Sequence, residues 1–217
     1  MTMSAKSGTL LITGGSSSTV QVRSLGFEPA AVIFYWSGRT ESSNTAGTAN
    51  YNYGQGFATP TTVRCMLCAG THNVATSQED KLWYSTACIA TLTNAAVGAT
   101  DGVASYTTNA DGFDITITTL FTNSLRVSYL ALGGDSITNA AAGNFLHNGT
   151  NGNQQITTSF QPDLLILVAQ NNASGSGTAL AYSGFGMGAA TSSSARWAIA
   201  TRARDGDTTP NARVGNY

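Results

Sequence analysis

One segment of the chain returns in a second copy, and this internal repeat constrains the fold more than any other feature. In both copies a Phe-x-Pro element leads into a continuous apolar run, and a Gly-Phe pair and a strand-like segment follow in the same order. The paired landmarks are Phe27, Pro29, Gly56 and Phe57 in the first copy and Phe160, Pro162, Gly184 and Phe185 in the second. The repeat predicts that one structural unit occurs twice.

The hydrophobic pattern within each copy is typical of β-strands. Residues 113–118 alternate apolar and polar side chains, which indicates a strand with one buried face. Residues 31–36 and 164–169 are short apolar runs between Pro and polar turns, and they predict central strands. Only 87–92 and 139–142 resemble helix, and both are short. We therefore expect an all-β fold with very little helix, a β-sandwich or jelly-roll-like module that is internally repeated.

The two copies predict two units of unequal completeness. Residues 1–137 form a complete sandwich repeat with an N-terminal arm, which we call the first unit. Residues 138–217, the second unit, end where the first unit has only reached residues 81–84. A sandwich without its last strands leaves an apolar face open. We expect either that the natural chain continues past Tyr217, which is the favoured reading, or that a partner covers that face.

The chain carries little charge, and this argues against several kinds of partner. Charged residues make up 10% of the sequence, and the formal net charge is -1. No basic field is available to bind nucleic acid or an anionic membrane. No apolar stretch approaches the length of a membrane span. We expect neither nucleic acid nor membrane as a partner.

Three cysteines occur, an odd number that argues against a disulfide scaffold and favours synthesis in a reducing compartment. Cys65 and Cys68 have CxxC spacing, but a strand would point residues three apart to opposite faces. A zinc site also needs about four ligands. We interpret both cysteines as small hydrophobic residues and predict no metal and no cofactor.

The remaining chemical groups predict no catalytic site. His72 and His147 lie in polar segments without a nucleophile signature. The acidic clusters at 79–80 and 205–207 could bind Ca²⁺ through loop oxygens but lack EF-hand spacing, so we favour solvated turns. The sequence predicts a protein that is not an enzyme.

A polar stretch with interleaved aromatic residues is the candidate contact loop. It consists of Asn50, Tyr51, Asn52 and Tyr53. Rigid aromatic and adaptable polar side chains are typical of recognition loops. Trp36 and Trp83 could stack on sugars, although burial is the favoured interpretation.

The combined framework resembles a family of virion proteins of tailed bacteriophages that are built from tandem copies of one β module. The segments that carry the likeness are 22–34, 56–58, 87–89, 111–113 and 127–134. The resemblance implies a capsid decoration (cement) protein or a tail or fibre component, located in the virion and made in the host cytoplasm. It implies other virion proteins, major capsid or tail proteins, as partners, and a homo-oligomer, with a trimer favoured. It supplies no catalytic residues.

Three functional classes remain open. We favour a capsid decoration or head-protrusion protein that binds the particle through polar β surfaces. A tail, baseplate or tail-fibre component is the alternative, including a receptor-binding or carbohydrate-binding adhesin with a host glycan as partner. A polysaccharide hydrolase would need paired carboxylates in a cleft, with Asp101, Asp111 and Asp114 as the residues to test.

Overall fold

The computed structural model describes residues 2–38, 50–71, 78–93, 99–170, 182–204 and 213–216. Within these ranges the regular structure is entirely β, with no helix. The strands are β1 (Ser4–Ile12), β2 (Val20–Val22), β3 (Pro29–Trp36), β4 (Asn50–Ala58), β5 (Val63–Thr71), β6 (Gln78–Tyr84), β7 (Ile89–Leu92), β8 (Thr100–Asn109), β9 (Gly112–Thr119), β10 (Leu125–Gly133), β11 (Leu165–Gln170), β12 (Tyr182–Ala190), β13 (Arg196–Arg204) and β14 (Arg213–Asn216).

The strands form three antiparallel sheets. The large sheet has the order β1-β10-β3-β4-β5-β6, and the cover sheet has the order β2-β9-β8-β7. The third sheet contains β11-β12-β13-β14 in sequence order. Every strand of the large and cover sheets belongs to the first unit, whereas the third sheet is formed by the second unit alone.

An aromatic core joins the large sheet to the cover sheet. The ring centroids of Phe34 and Phe113 lie 5.7 Å apart, and those of Phe113 and Tyr129 lie 5.2 Å apart, both edge to face. Phe34 and Phe113 are fully buried. Because each sheet alternates buried and accessible residues, packing two inner faces together removes the apolar side of both from water. The all-β, sandwich-like prediction is confirmed.

Most strands predicted from the hydrophobic pattern are present. The alternating segment 113–118 forms β9, and the apolar run 31–36 forms β3, which lies inside the large sheet between β10 and β4. The helix-like stretch 87–92 contributes β7, and 139–142 contains no regular element. Pairing with other strands therefore determines the secondary structure of short segments whose sequence is ambiguous.

Two expectations about position were wrong. The apolar run 164–169 was predicted as a central strand, but β11 is an edge strand of its sheet. In the first unit, β3 is central because it pairs with β10 on one side and with β4 on the other. The described part of the second unit contains no counterpart of β10, so β11 pairs only with β12. Residues 50–53 were predicted as a loop, but they begin β4 and pair with β5.

Candidate functional site

The predicted contact residues lie in a strand, and the side chains of Asn52 and Tyr53 contact other parts of the protein. The Asn52 side chain is buried, and its Nδ2 donates a hydrogen bond of 2.7 Å to the Leu92 carbonyl oxygen. Tyr53 points to the opposite face of the large sheet, where its ring meets Phe185 edge to face at 4.8 Å. Burial raises the pKa of the Tyr53 hydroxyl, and nearby Cys68 and Tyr35 add to the rise. The backbone pairing of Asn50 and Tyr51 with β5 is described, and their role in binding stays a prediction.

Strand pairing shows how the two units correspond. Phe34 pairs with Gly56 in the first unit, and Leu167 pairs with Gly188 in the second. Aligning Pro29 with Pro162 matches Phe34 with Leu167, so the pairing matches Gly54 and Gly56 with Gly186 and Gly188, and Tyr53 with Phe185. The sequence comparison had matched Gly56 and Phe57 with Gly184 and Phe185. That match is displaced because short Gly-rich segments align at several registers, whereas hydrogen-bonded pairing allows only one.

In the first unit, the inner face of the meander β3–β6 is closely covered. A Cβ atom added at Gly56 would lie 1.8 Å from the Cys88 carbonyl oxygen, so the chain leading into β7 crosses directly above this glycine. A Cβ atom at Gly54 would lie 2.1 Å from the Trp36 ring. Glycine in a strand interior often marks such a close approach. Both glycines make room for material that covers the sheet.

In the second unit, the corresponding face has no sheet above it among the described residues. We call it the open face and define it as Leu165, Leu167, Ala169, Gly186, Ala198 and Ala200. Gly188 lies on the same side of the sheet but is buried, and a Cβ atom built there would lie 2.8 Å from the Trp197 carbonyl oxygen. Leu165 is 42% exposed and Leu167 is 40% exposed. The three atoms nearest to a Cβ built at Gly186 all belong to neighbouring strands of the same sheet, the closest at 3.5 Å. Among the described residues, no side chain occupies the place that the Trp36 ring fills in the first unit, and the second unit has Ala169 at the equivalent position.

The opposite face of the third sheet packs against the outer face of the large sheet. Phe185 is buried there against Tyr53, and β11 and β12 lie next to β5 and β6. Ile33, Gln55 and Lys81 are buried on the outer face of the large sheet. Burial lowers the pKa of Lys81, an effect that Cys68 and Asp80 oppose. The two units are thus stacked back to back.

The overlap of the two units is incomplete. Trp197 and Ile199 lie in β13 on the face that carries Phe185, yet Trp197 is 51% exposed. The strand β13 therefore extends past the edge of the large sheet. Its small residues Ala198 and Ala200 are exposed on the other side. Both faces of β13 are accessible between Trp197 and Ala200.

The cysteines behave as the sequence predicted. Cys65 lies on the inner face of β5 and is buried, whereas Cys68 lies on the other face and is half-buried. Burial raises the pKa of Cys65 and of Cys88. The thiols of Cys65 and Cys88 therefore remain protonated at neutral pH, in contrast to reactive or metal-binding cysteines.

Other predicted groups are dispersed. Asp111 and Asp114 hold the first unit together, since Asp111 accepts hydrogen bonds from the backbone of Ser24 and Gly26, and Asp114 forms an ion pair with Arg23. His147 is exposed. His72 and the cluster 205–207 lie outside the described residues. Across the described ranges, no group of three His, Cys, Asp or Glu side chains is placed to bind a metal ion.

The sequence of β11 contains a signal for the open face. Residues 165–168 are apolar at every position, so both faces of β11 are apolar, a pattern typical of strands covered on both sides.

Within the described residues no helix is long and apolar enough to cross a membrane. Comparison with protein-family models, curated proteins and solved structures finds no significant match.

Proposed function

We propose that this protein is a non-enzymatic structural component of a tailed-phage particle, namely a capsid decoration, cement or head-protrusion protein. The observation that carries the proposal is the arrangement of the two units. They stack through their outer faces and leave an accessible apolar sheet face together with a surface of low charge. A flat face of this kind is suited to binding another protein surface.

The sequence resemblance to tandem β-module virion proteins supports the same role. The segments that carry it form the framework of the first unit, including β3, β4, β9 and β10. Folds host many functions, so the role depends on the exposed surfaces. Major capsid or tail proteins are the proposed partners, and the virion is the proposed location.

Reconstitution on particles tests the proposal. The recombinant protein would be added to phage particles whose own copy of the gene has been deleted, and bound density would be located by cryo-electron microscopy. We expect added density on the capsid. Density on the tail or baseplate would support the alternative location. No density on either part, at saturating protein, would exclude a virion role.

A tail-fibre adhesin is the second candidate, favoured by the exposed indole of Trp197. An exposed aromatic ring with a polar edge offers a platform for sugar binding. Trp36, by contrast, is buried and unavailable. A glycan array probed with the wild type and with Trp197→Ala tests this role. Binding that the substitution abolishes supports it, whereas an absence of glycan binding excludes it.

A further inference from the structure

We propose that the turn at residues 147–150 is a self-modifying site, at which Asn148 loses its side-chain amide and becomes aspartate or isoaspartate through a cyclic imide with Gly149. The turn lies in the segment between β10 and β11 that links the two units, and all of its residues are exposed to water. The proposal goes beyond the virion role and does not depend on it.

The backbone nitrogen of Gly149 is the nucleophile in this reaction, and a base already holds its proton. The Gly149 N–H donates a hydrogen bond of 3.0 Å to Nδ1 of His147. Nδ1 accepts this bond when the ring proton is on Nε2, as in one tautomer of the neutral imidazole. A general base must lie within hydrogen-bond reach of the proton that it removes. His147 therefore has the position of the base.

The side-chain carbonyl group of Asn148 is the group that is attacked, and its oxygen already accepts a hydrogen bond. The donor is the Thr150 N–H, which lies 3.1 Å from Oδ1 of Asn148. When the Gly149 nitrogen adds to Cγ, negative charge develops on Oδ1. An N–H that points at this oxygen beforehand stabilises the charge as it forms.

Gly149 and Gln154 shape the turn. Gly149 has a φ of 73°, a conformation that glycine adopts without strain, and its lack of a Cβ atom leaves the nitrogen unhindered. The Gln154 side chain bridges two points of the segment. Its Nε2 donates a hydrogen bond of 2.7 Å to the Leu146 carbonyl oxygen, and its Oε1 accepts one of 3.2 Å from the Asn148 N–H. Gln154 is a positioning residue, since holding reacting groups in place lowers the entropic cost of ring closure.

The reaction needs water and no other co-reactant. His147 takes the proton of the Gly149 nitrogen, which forms a bond to Cγ of Asn148. The bond between Cγ and Nδ2 then breaks, Nδ2 takes up the proton, and ammonia leaves. One water molecule hydrolyses either carbonyl of the imide ring and yields a carboxylate. The product adds one negative charge to a chain whose formal net charge is -1, and the isoaspartate form also adds one carbon atom to the backbone that links the units.

The chain contains its own comparison, because Asn151 and Gly152 form a second Asn-Gly pair. Both residues are exposed, and Gly152 also has a positive φ, of 121°. Among the residues that the structure describes, no imidazole or carboxylate is hydrogen-bonded to the Gly152 N–H. The two pairs have the same reacting groups, so a difference between their rates reports the surroundings of Asn148.

Peptide mapping of the full chain by mass spectrometry tests the inference. After incubation at neutral pH, deamidation at Asn148 and at Asn151 is followed in the same sample, and isoaspartate is measured with protein isoaspartyl methyltransferase. We expect Asn148 to react at least about fivefold faster than Asn151, less than the usual effect of a general base because the turn is exposed. His147→Phe removes the base and should bring the rate at Asn148 close to that at Asn151.

Variants at two adjacent glutamines separate positioning from a general change in the segment. Gln154→Ala should lower the rate at Asn148 at least about twofold and leave the rate at Asn151 unchanged. Gln155→Ala is the matched control, since Gln155 is exposed, and it should leave both rates unchanged. None of the substituted positions lies in a strand, and circular dichroism confirms that each variant is folded.

Three results would overturn the proposal. The first is a rate at Asn148 that equals or falls below the rate at Asn151. The second is an unchanged rate at Asn148 in His147→Phe. The third is cleavage of the chain after Asn148, which would mean that Nδ2 of Asn148 attacks the backbone carbonyl of its own residue, with the Gly149 nitrogen as the leaving group and not the nucleophile.

Discussion

The meander β3–β6 and the third sheet have the same strand order and nearly the same register, yet they are stabilised differently. In the first unit, the inner face meets the cover sheet, and Phe34 is fully buried between them. In the second unit, the equivalent Leu167 is accessible to solvent. The local sequence is therefore sufficient to specify the strands, whereas their stability depends on what covers them. Four predictions probe this difference, in order of decreasing effect.

Removing the central aromatic ring should have the largest effect. We expect Phe113→Ala to lower the free energy of unfolding by about 3–5 kcal/mol, because it leaves a cavity among Phe34, Tyr106 and Tyr129. Leu167→Ala should cost less than about 1 kcal/mol in the monomer, since its side chain is accessible. Urea unfolding at low protein concentration measures both. Equal losses would show that the open face is covered within the monomer.

Equivalent glycines should respond in opposite directions. Gly54→Ala forces a methyl group against the Trp36 ring, and we expect a loss of about 1–3 kcal/mol. Gly186→Ala places its methyl group at ordinary contact distance, with the nearest described atom 3.5 Å away, and should stabilise the monomer by about 0.4–1 kcal/mol by restricting the unfolded chain. Thermal melting of the two variants tests this pair. Destabilisation by Gly186→Ala would reveal a tightly packed layer above β12.

High pH should destabilise the first unit specifically. The pKa values of Cys65 and Cys88 are raised by burial from an ordinary 9.0. An acid whose folded-state pKa is raised stabilises the fold below its unfolded pKa, and this contribution is lost as the pH rises. We expect stability to fall above about pH 9, by up to about 1.4 kcal/mol per pH unit for each thiol. Cys65→Ala should reduce the slope of unfolding free energy against pH, and an unchanged slope would contradict this assignment.

The turn that Asp111 holds in the first unit should give the smallest difference in stability between the two units. Asp111 accepts backbone hydrogen bonds from Ser24 at 3.0 Å and Gly26 at 2.6 Å, holding a turn in which Ser24 has a positive φ of 62°. We expect Asp111→Ala to cost about 1–2 kcal/mol. Asp163→Ala, at an exposed position beside Pro162, serves as the control and should change stability by less than about 0.5 kcal/mol. Equal effects would mean that the turn is held by other contacts.

The sequence predicts where strands lie along the chain more reliably than it predicts which residues pack against them. The alternation at 113–118 and the apolar run at 31–36 identify β9 and β3 because these patterns depend on local geometry. The position of Asn52 is not predictable in this way. Its polarity indicates a loop, but a hydrogen bond to Leu92, forty residues away along the chain, allows it to be buried in a strand.

The open face could be predicted only in part. The matching of Phe27 and Pro29 with Phe160 and Pro162 predicts the repeat, and the apolar run 165–168 predicts a strand that is covered on both faces. The contact between Tyr53 and Phe185 could not be inferred, because both residues resemble core positions of their own units. How one unit meets another depends on outer faces, whose composition follows no simple period.

The back-to-back contact also limits how such units polymerise. The third sheet covers the outer face of the large sheet at β4 to β6, and it uses its own outer face in return. A contact between like surfaces closes on itself and cannot be extended to a third unit. A longer chain of these units would therefore need a second, different junction between one pair and the next, and it could not form a filament with a single repeating joint.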